Sequence, residues 1–335
     1  MKCPAVARDD GQKPIDVPAY ARHSTPPDAN LENFIQNWDH YHNRIAVFLG
    51  AGASVGARNR LGQPLPTAFH LRNLLWKKFM AVRPDDFSPE ALALVSLEHA
   101  AALVERSIGR TALVEYLTEQ FEVPTPLWQH SALPYIRPTG IFTSNYDTMI
   151  EQGWALHSSN EGLGTLRLYY RDEAKDRAVH IPLYKPHGTT QRATTSVGEG
   201  GLVITQFDYI EMLSYRRSAL ASCLSNLQNT CVVFIGYSFQ DLDIATALFD
   251  MRNPHAKRGI PWYAVFPRDD ANVRGMYLER YGIRQINRTF FDFMMDLDEA
   301  ITFIPEVWKF KSLAALDGVD KGAITSCTAA GQKTP

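Results

Sequence analysis

An α/β fold, a Rossmann-type parallel sheet with helical insertions, is what this chain predicts. Three observations carry that expectation. Short apolar runs rich in β-branched and aromatic residues alternate with longer stretches of helical periodicity, the pattern of strands crossed over by helices. Four of the apolar runs end in turns of glycine, small and polar residues. With 45% hydrophobic and 21% charged residues over 335 positions, the composition is that of a globular protein with a sizeable core. At roughly 150 residues per domain, this length allows one large domain or two small ones.

Five of the first 30 residues are proline, interleaved with polar ones, so 1–30 reads as an extended or disordered arm. The run RIAVFL at 44–49 reads as a buried strand, closed by a glycine-rich turn at 50–56. Phe69, Leu71, Leu74, Leu75 and Phe79 then recur at near-helical spacing and predict a helix over 67–80. Two more helical stretches run over 89–104 and 110–121. TGIFT at 139–143 is a second strand, entering Ser144, Asn145, Tyr146 and Asp147 before a helix over 148–157. A third strand, 179–184, contains Pro182 and is stopped by Pro186, His187 and Gly188. Residues 189–201, rich in Thr, Ser and Gly, read as a loop long enough for a functional role such as a lid. CVVFI at 231–235 is a fourth strand, leading into Gly236, Tyr237 and Ser238 and a helix over 241–251. A strand at 262–266 and a helix over 291–304 complete the alternation, and 311–335, small and polar, reads as a flexible tail. One folded domain over 31–310 is expected.

Charge and cysteines exclude several classes. Lys and Arg number 34 against 36 Asp and Glu, a net charge of −2, so direct nucleic-acid binding by a globally basic surface is not expected. Cys3, Cys223, Cys231 and Cys327 fit neither a disulfide framework nor paired metal-ligand spacing, which points to a reducing cytoplasm and no metal site. The N-terminus MKCPAVARDD lacks the apolar stretch of a signal peptide, and no run approaches the ~18 apolar residues that span a bilayer. A cytoplasmic protein without membrane association is expected. No P-loop pattern occurs, so the chain is not expected to be its own ATPase.

Ligands of open parallel sheets bind outside the carboxyl ends of the strands, so the four turns converge on one crevice. In the first, Gly50-Ala51-Gly52-Ala53-Ser54, glycines let the backbone approach a pyrophosphate. Val55 stands where the third glycine of the dehydrogenase fingerprint belongs, and no Asp or Glu occurs between Gly50 and Asp85 to hold a ribose. Both departures count against a hydride-transferring dehydrogenase. A ligand-free tight turn is the alternative, but glycines this dense after a buried strand favour nucleotide binding. At the second turn, Asn145 or Asp147 either caps the following helix or orients a water or ribose hydroxyl. In the third, His187, pinned between proline and glycine at a strand end, can accept a proton near neutral pH. In the fourth, Ser238 or Asp241 either caps a helix or sits with backbone N–H groups near a ribose or phosphate.

In order, GAGAS, TSNYD, KPHGT and IGYSFQD resemble the motif series of the sirtuin-like superfamily, over roughly residues 40–305. The resemblance implies NAD on a Rossmann-type sheet. By it, Gly50, Ala51, Gly52 and Ser54 line the diphosphate, Asn145 and Asp147 sit beside the nicotinamide ribose, and His187 is the catalytic histidine. Gly236, Ser238 and Asp241 belong to the segment that contacts the adenosine half. Protein-deacylating sirtuins carry a zinc module with two cysteine pairs between the third and fourth motifs; here only Cys223 and Cys231 are present, eight positions apart, so four-thiolate zinc binding is not expected. RNRLGQPLPTAF after GAGAS also lacks the Pro-Asp-Phe-Arg run of deacylases. The chain resembles more closely the bacterial sirtuin-like NAD hydrolases of antiphage defence.

That resemblance implies cleavage of the nicotinamide–ribose bond, with Asn145 positioning water, Asp147 contacting ribose and His187 accepting a proton. It also implies gating, since an ungated NAD hydrolase exhausts its own cell's cofactor. With the chain taken up by one domain, self-assembly and a separate sensor, such as a DNA-translocase-type ATPase or an Argonaute-like protein, are expected. An NAD-dependent deacylase and a non-catalytic NAD or ADP-ribose sensor are the alternatives.

Overall fold

The computed structural model describes residues 26–81, 92, 94–157, 161–169, 180–192, 195–212, 230–239, 260–267 and 272–309. Most of the expected N-terminal arm, the tail from 310 onward and the expected helix at 241–251 lie outside them.

Seven strands form one parallel sheet: β1 (Ile45–Leu49), β2 (Gly140–Thr143), β3 (Thr165–Tyr169), β4 (His180–Tyr184), β5 (Cys231–Ile235), β6 (Trp262–Val265) and β7 (Ile283–Ile286). Their order across the sheet is β3-β4-β2-β1-β5-β6-β7. The expected Rossmann-type α/β architecture is therefore present. From β1 the chain passes to β2, then to β3 at the edge and back to β4 between them, and only then to the other side of β1 with β5, β6 and β7. The reversal of direction falls between β1 and β5, and an open parallel sheet binds ligands at such a switch point. Leu49 pairs with both Thr143 and Ile235, so the central strand ends are flush and their turns emerge side by side.

Burial explains which strands form the centre. Every residue of β1 and β5 is buried, and a strand covered on both faces can be apolar throughout rather than alternating. One face, with Ile45, Val47, Val233 and Ile235, packs under helices α1 (Ala29–Gln36), α6 (Trp128–Ala132), α7 (Met149–Ala155) and α9 (Phe290–Ile301). The opposite face carries Phe48, Phe142 and Phe234, with the Phe48 and Phe142 rings stacked at 4.1 Å between centroids. Leu278 of α8 (Asn272–Tyr281) joins this second cluster.

Between β1 and β2 lies a helical insertion with its own core. Leu71 and Leu75 of α3 (Ala68–Leu75) meet Val104 of α4 (Leu97–Ile108) and Leu113 and Leu117 of α5 (Arg110–Phe121). Leu202 and Ile204 complete the cluster, so the segment after β4 is built into the insertion.

Departures from expectation have local causes. The helix expected over 67–80 is capped by Thr67, accepting from His70 N, and passes at Trp76 into a π-helical turn. Over the helix expected at 89–104, Leu92 is helical but Leu94 and Val95 are not, and α4 begins at Leu97, where the Ser96 hydroxyl accepts from His99 N. Strands β3 and β7 were not expected. Both lie at sheet edges, and TLRLY and IRQI mix charge with apolar residues because an edge strand keeps a solvated side. The short α1, together with α2 (Trp38–Tyr41) and α8, was likewise not anticipated.

Candidate functional site

The turns after β4, β2, β1 and β5 stand at the carboxyl ends of four adjacent strands, in that spatial order. Those are the turns carrying His187, Asn145 and Asp147, Gly50 to Ser54, and Gly236 with Ser238.

At the switch point the first and last of these turns touch backbone to backbone. Gly50 N–H donates to Ile235 O and Gly52 N–H to Gly236 O, both at 2.9 Å. A β-carbon on Gly50 would fall 2.6 Å from Gly236 O, and one on Gly236 only 2.3 Å from Ala53 N. Gly236 also has φ +60°, in the left-handed region where a side chain is strained. The glycines are thus required by this contact, and the Gly52 amide is already committed to it. Ala51 and Gly52 are exposed, Gly50 is buried, and Gly236 and Ser238 are half-buried. Phe239, also fully buried, has φ 59°, an uncommon conformation for a bulky residue and a mark of local strain. Asp241 lies outside the described residues.

Next to this contact runs a directed chain of hydrogen bonds. Asn145 Nδ2 donates to Gly50 O at 3.0 Å and to Ser54 Oγ at 3.1 Å. Ser54 Oγ in turn donates to Asp147 Oδ2 at 2.9 Å, and Asp147 Oδ1 accepts from Met149 N at 3.2 Å. A carbonyl on one side and a hydroxyl that donates onward on the other fix the Asn145 amide with nitrogen inward. Its Oδ1 has no partner among the described residues, and the side chain is half-buried. Asp147, 4% exposed, has both oxygens engaged, so it caps α7 and anchors Ser54. Ser54, 5% exposed, likewise faces its neighbours rather than the crevice.

His187 is held by its own turn. Gly188 N–H donates to Lys185 O, and Val203 N–H donates to His187 O at 2.9 Å. The His187 ring meets Tyr209 edge to face at 5.2 Å. Thr190 donates to Tyr146 O from both N–H and hydroxyl, while the Tyr146 hydroxyl donates to Val203 O at 2.6 Å. The described part of 189–201 is thereby tied on both sides to the turn carrying Asn145. The two turns meet through Tyr146 and Lys185.

Lys185 is the feature that sequence reasoning missed. Its side chain is fully buried, and its ammonium donates to the Asp147 carbonyl and, at 2.9 Å, to Glu151 Oε1. Glu151 Oε2 is buried without a hydrogen-bond partner among the described residues. A lysine closing a strand as apolar as IPLY was the available signal, because lysine is almost never fully buried unless paired. Behind this pair, burial pushes the His130 imidazole down to about pKa 4, and the nearby Asp147 carboxylate only partly opposes that shift.

A comparison with known families bears on this arrangement. Residues 139–286 match the SIR2-like domain. The match covers somewhat less than half of the chain, from the start of β2 to the end of β7. The SIR2-like stretch contains Asn145, Asp147, Lys185, His187, Gly236 and Ser238, and it associates the chain with NAD-related chemistry in general. Gly50 and Ser54 lie outside it, and it is the hydrogen bonds to Asn145 and Asp147 that join them to it. No curated protein matches the chain. Among the described residues no cluster of three or more His, Cys, Asp or Glu is placed to hold a metal, and no helix is long and apolar enough to cross a membrane. Cys223 is outside those residues.

Proposed function

We propose that the protein is an NAD hydrolase, splitting the nicotinamide–ribose bond to give nicotinamide, ADP-ribose and a proton. One observation carries this reading: the Asn145 amide is locked by Gly50 and Ser54 with its Oδ1 left over, at the switch point of a SIR2-like sheet. An oxygen held in that way accepts a hydrogen bond from water and aims its lone pair. Breaking the bond builds oxocarbenium character on the ribose while nicotinamide leaves neutral, so no strong general acid is needed. What remains is a positioned water and a proton acceptor, and His187 supplies the acceptor. Asp147, assigned to the ribose on sequence grounds, has both carboxylate oxygens engaged by Ser54 and Met149 N, and we assign it to holding Ser54 and hence Asn145. The exposed Ala51 and Gly52, with Ser238, remain assigned to the dinucleotide.

Gating by a separate partner, self-assembly and a role in antiphage defence belong to the same proposal. Gating follows from the harm that an ungated NAD hydrolase does to its own cell, and the defence role, the partner and self-assembly rest on the resemblance to sirtuin-like NAD hydrolases.

The test is nicotinamide release from NAD by the purified chain, with co-purified partners where present. Asn145→Ala and His187→Ala should each lower turnover by about 100-fold or more. Release that depends on an acetylated peptide would instead identify a deacylase. Tight NAD binding without release would identify a sensor.

A further inference from the structure

Resting on the reading of NAD cleavage, we infer that Lys185 is a positioning residue. Its buried ammonium fixes the turn that carries Asn145 against the turn that carries His187.

Lys185 directly follows β4, two residues before His187, and its carbonyl accepts from Gly188 N–H within the same turn. Its side chain crosses to the neighbouring strand end and donates to the carbonyl of Asp147, the peptide that closes the Asn145 turn. The remaining charge is met by Glu151, one turn into α7. One side chain therefore bonds two turns that are also joined through Tyr146 and by the pairing of β2 with β4. Burying an ammonium and a carboxylate is expensive, and well-packed apolar residues of similar volume commonly replace such pairs without loss of stability. A role confined to stability would not require the charge here. A role in holding two reacting groups at a fixed separation would, because small misplacements cost turnover steeply.

Three full-length proteins test this: wild type, Lys185→Met combined with Glu151→Leu, and Glu151→Gln. The double variant removes both charges together, so no buried charge is left unpaired. It should melt within a few degrees of wild type and keep its KM for NAD within about threefold, while kcat falls ~100-fold. Glu151→Gln keeps the lysine bond to Asp147 but leaves the ammonium without its counter-charge, so it should melt lower than wild type while kcat, measured well below that melt, stays within about threefold. An unchanged kcat in the double variant overturns the inference, as does a fall of kcat, affinity and melting temperature in parallel. Should the double variant not fold, Lys185→Gln with Glu151→Gln, neutral but hydrogen-bonding, takes its place with the same expectations. A wild type that binds NAD without releasing nicotinamide refutes the hydrolase reading, and amide exchange then decides. Faster exchange confined to Asn145 and Met149 in the double variant supports positioning, and unchanged exchange overturns it.

Discussion

Gly236 is where one absent side chain decides the shape of the crevice. Glycine in the first and last turns is open to a reading as room for a pyrophosphate, yet here much of that room is filled by the opposite turn. A methyl group on Gly236 would meet Ala53 N and the Gly52 carbonyl carbon, both at 2.3 Å and both backbone, which cannot swing aside. Left-handed strain adds to the clash, since residues held in such regions cost of order 1–3 kcal/mol each. Gly236→Ala is therefore expected to lose about 3 kcal/mol or more of stability, read from the denaturant midpoint at unchanged slope. A loss under ~1 kcal/mol would mean that the two turns are not in contact in solution. Ser54 teaches the same lesson from the polar side. Its hydroxyl, suited by position to a phosphate, is instead the link between Asn145 and Asp147.

Among elements, the insertion and the segment after His187 are joined by one arginine. Arg110, at the start of α5, donates to Leu202 O at 2.6 Å, to Thr195 O at 3.3 Å and to Asp208 at 2.8 Å, with Glu105 beside it. Burial works against its charge, but Asp208 and Glu105 more than offset that and hold its pKa above the ordinary arginine value. Asp208 is further satisfied by Ile204 N and Thr205 N, so it is not stranded when the arginine is removed. Arg110→Met should consequently cost about 2 kcal/mol, below the usual 3–5 for breaking a buried pair. The affected amides should be local: hydrogen exchange is expected to quicken over 195–204 and to stay unchanged in β1 and β5. Uniform loss of protection would show that the segment and the sheet open as one unit. Nothing within 189–201 itself announces this docking. Polar composition signals a surface path, whereas the anchors, Arg110 and Tyr146, lie far away in the chain. The same asymmetry governed the strands: β1 and β5, apolar on both faces, were legible to within a residue, while β3 and β7, edge strands with mixed faces, carried too little contrast to stand out.

For the whole molecule, what could be read in advance was the row of strand ends, because the order of motifs along a parallel sheet dictates that their turns emerge together. What could not be read was the wiring between them. Ser54 bonds to a carboxylate 93 positions away and Asn145 to a carbonyl 95 away, and no local pattern encodes such pairs. The buried histidine behind the site has the same character, and it reaches the stability of the entire fold. His130 is 1% exposed, lies edge to face on Phe290 at 5.3 Å, and has its Nδ1 buried without a hydrogen-bond partner among the described residues. Burial holds it neutral down to about pH 4, whereas in the unfolded chain it takes up a proton near its ordinary 6.5. Between those values the unfolded state binds more protons, so stability is full above pH 6.5 and falls progressively as pH drops toward 4. At about 1.4 kcal/mol per unit, the span amounts to roughly 3 kcal/mol. His157, whose pKa burial also lowers, contributes with the same sign. Replacing His130 with Phe should accordingly flatten the loss of stability between pH 6.5 and 4.5 relative to wild type, measured as unfolding free energy at a series of pH values. An identical slope in the two proteins would place His130 in contact with water and remove it from the core behind Asp147.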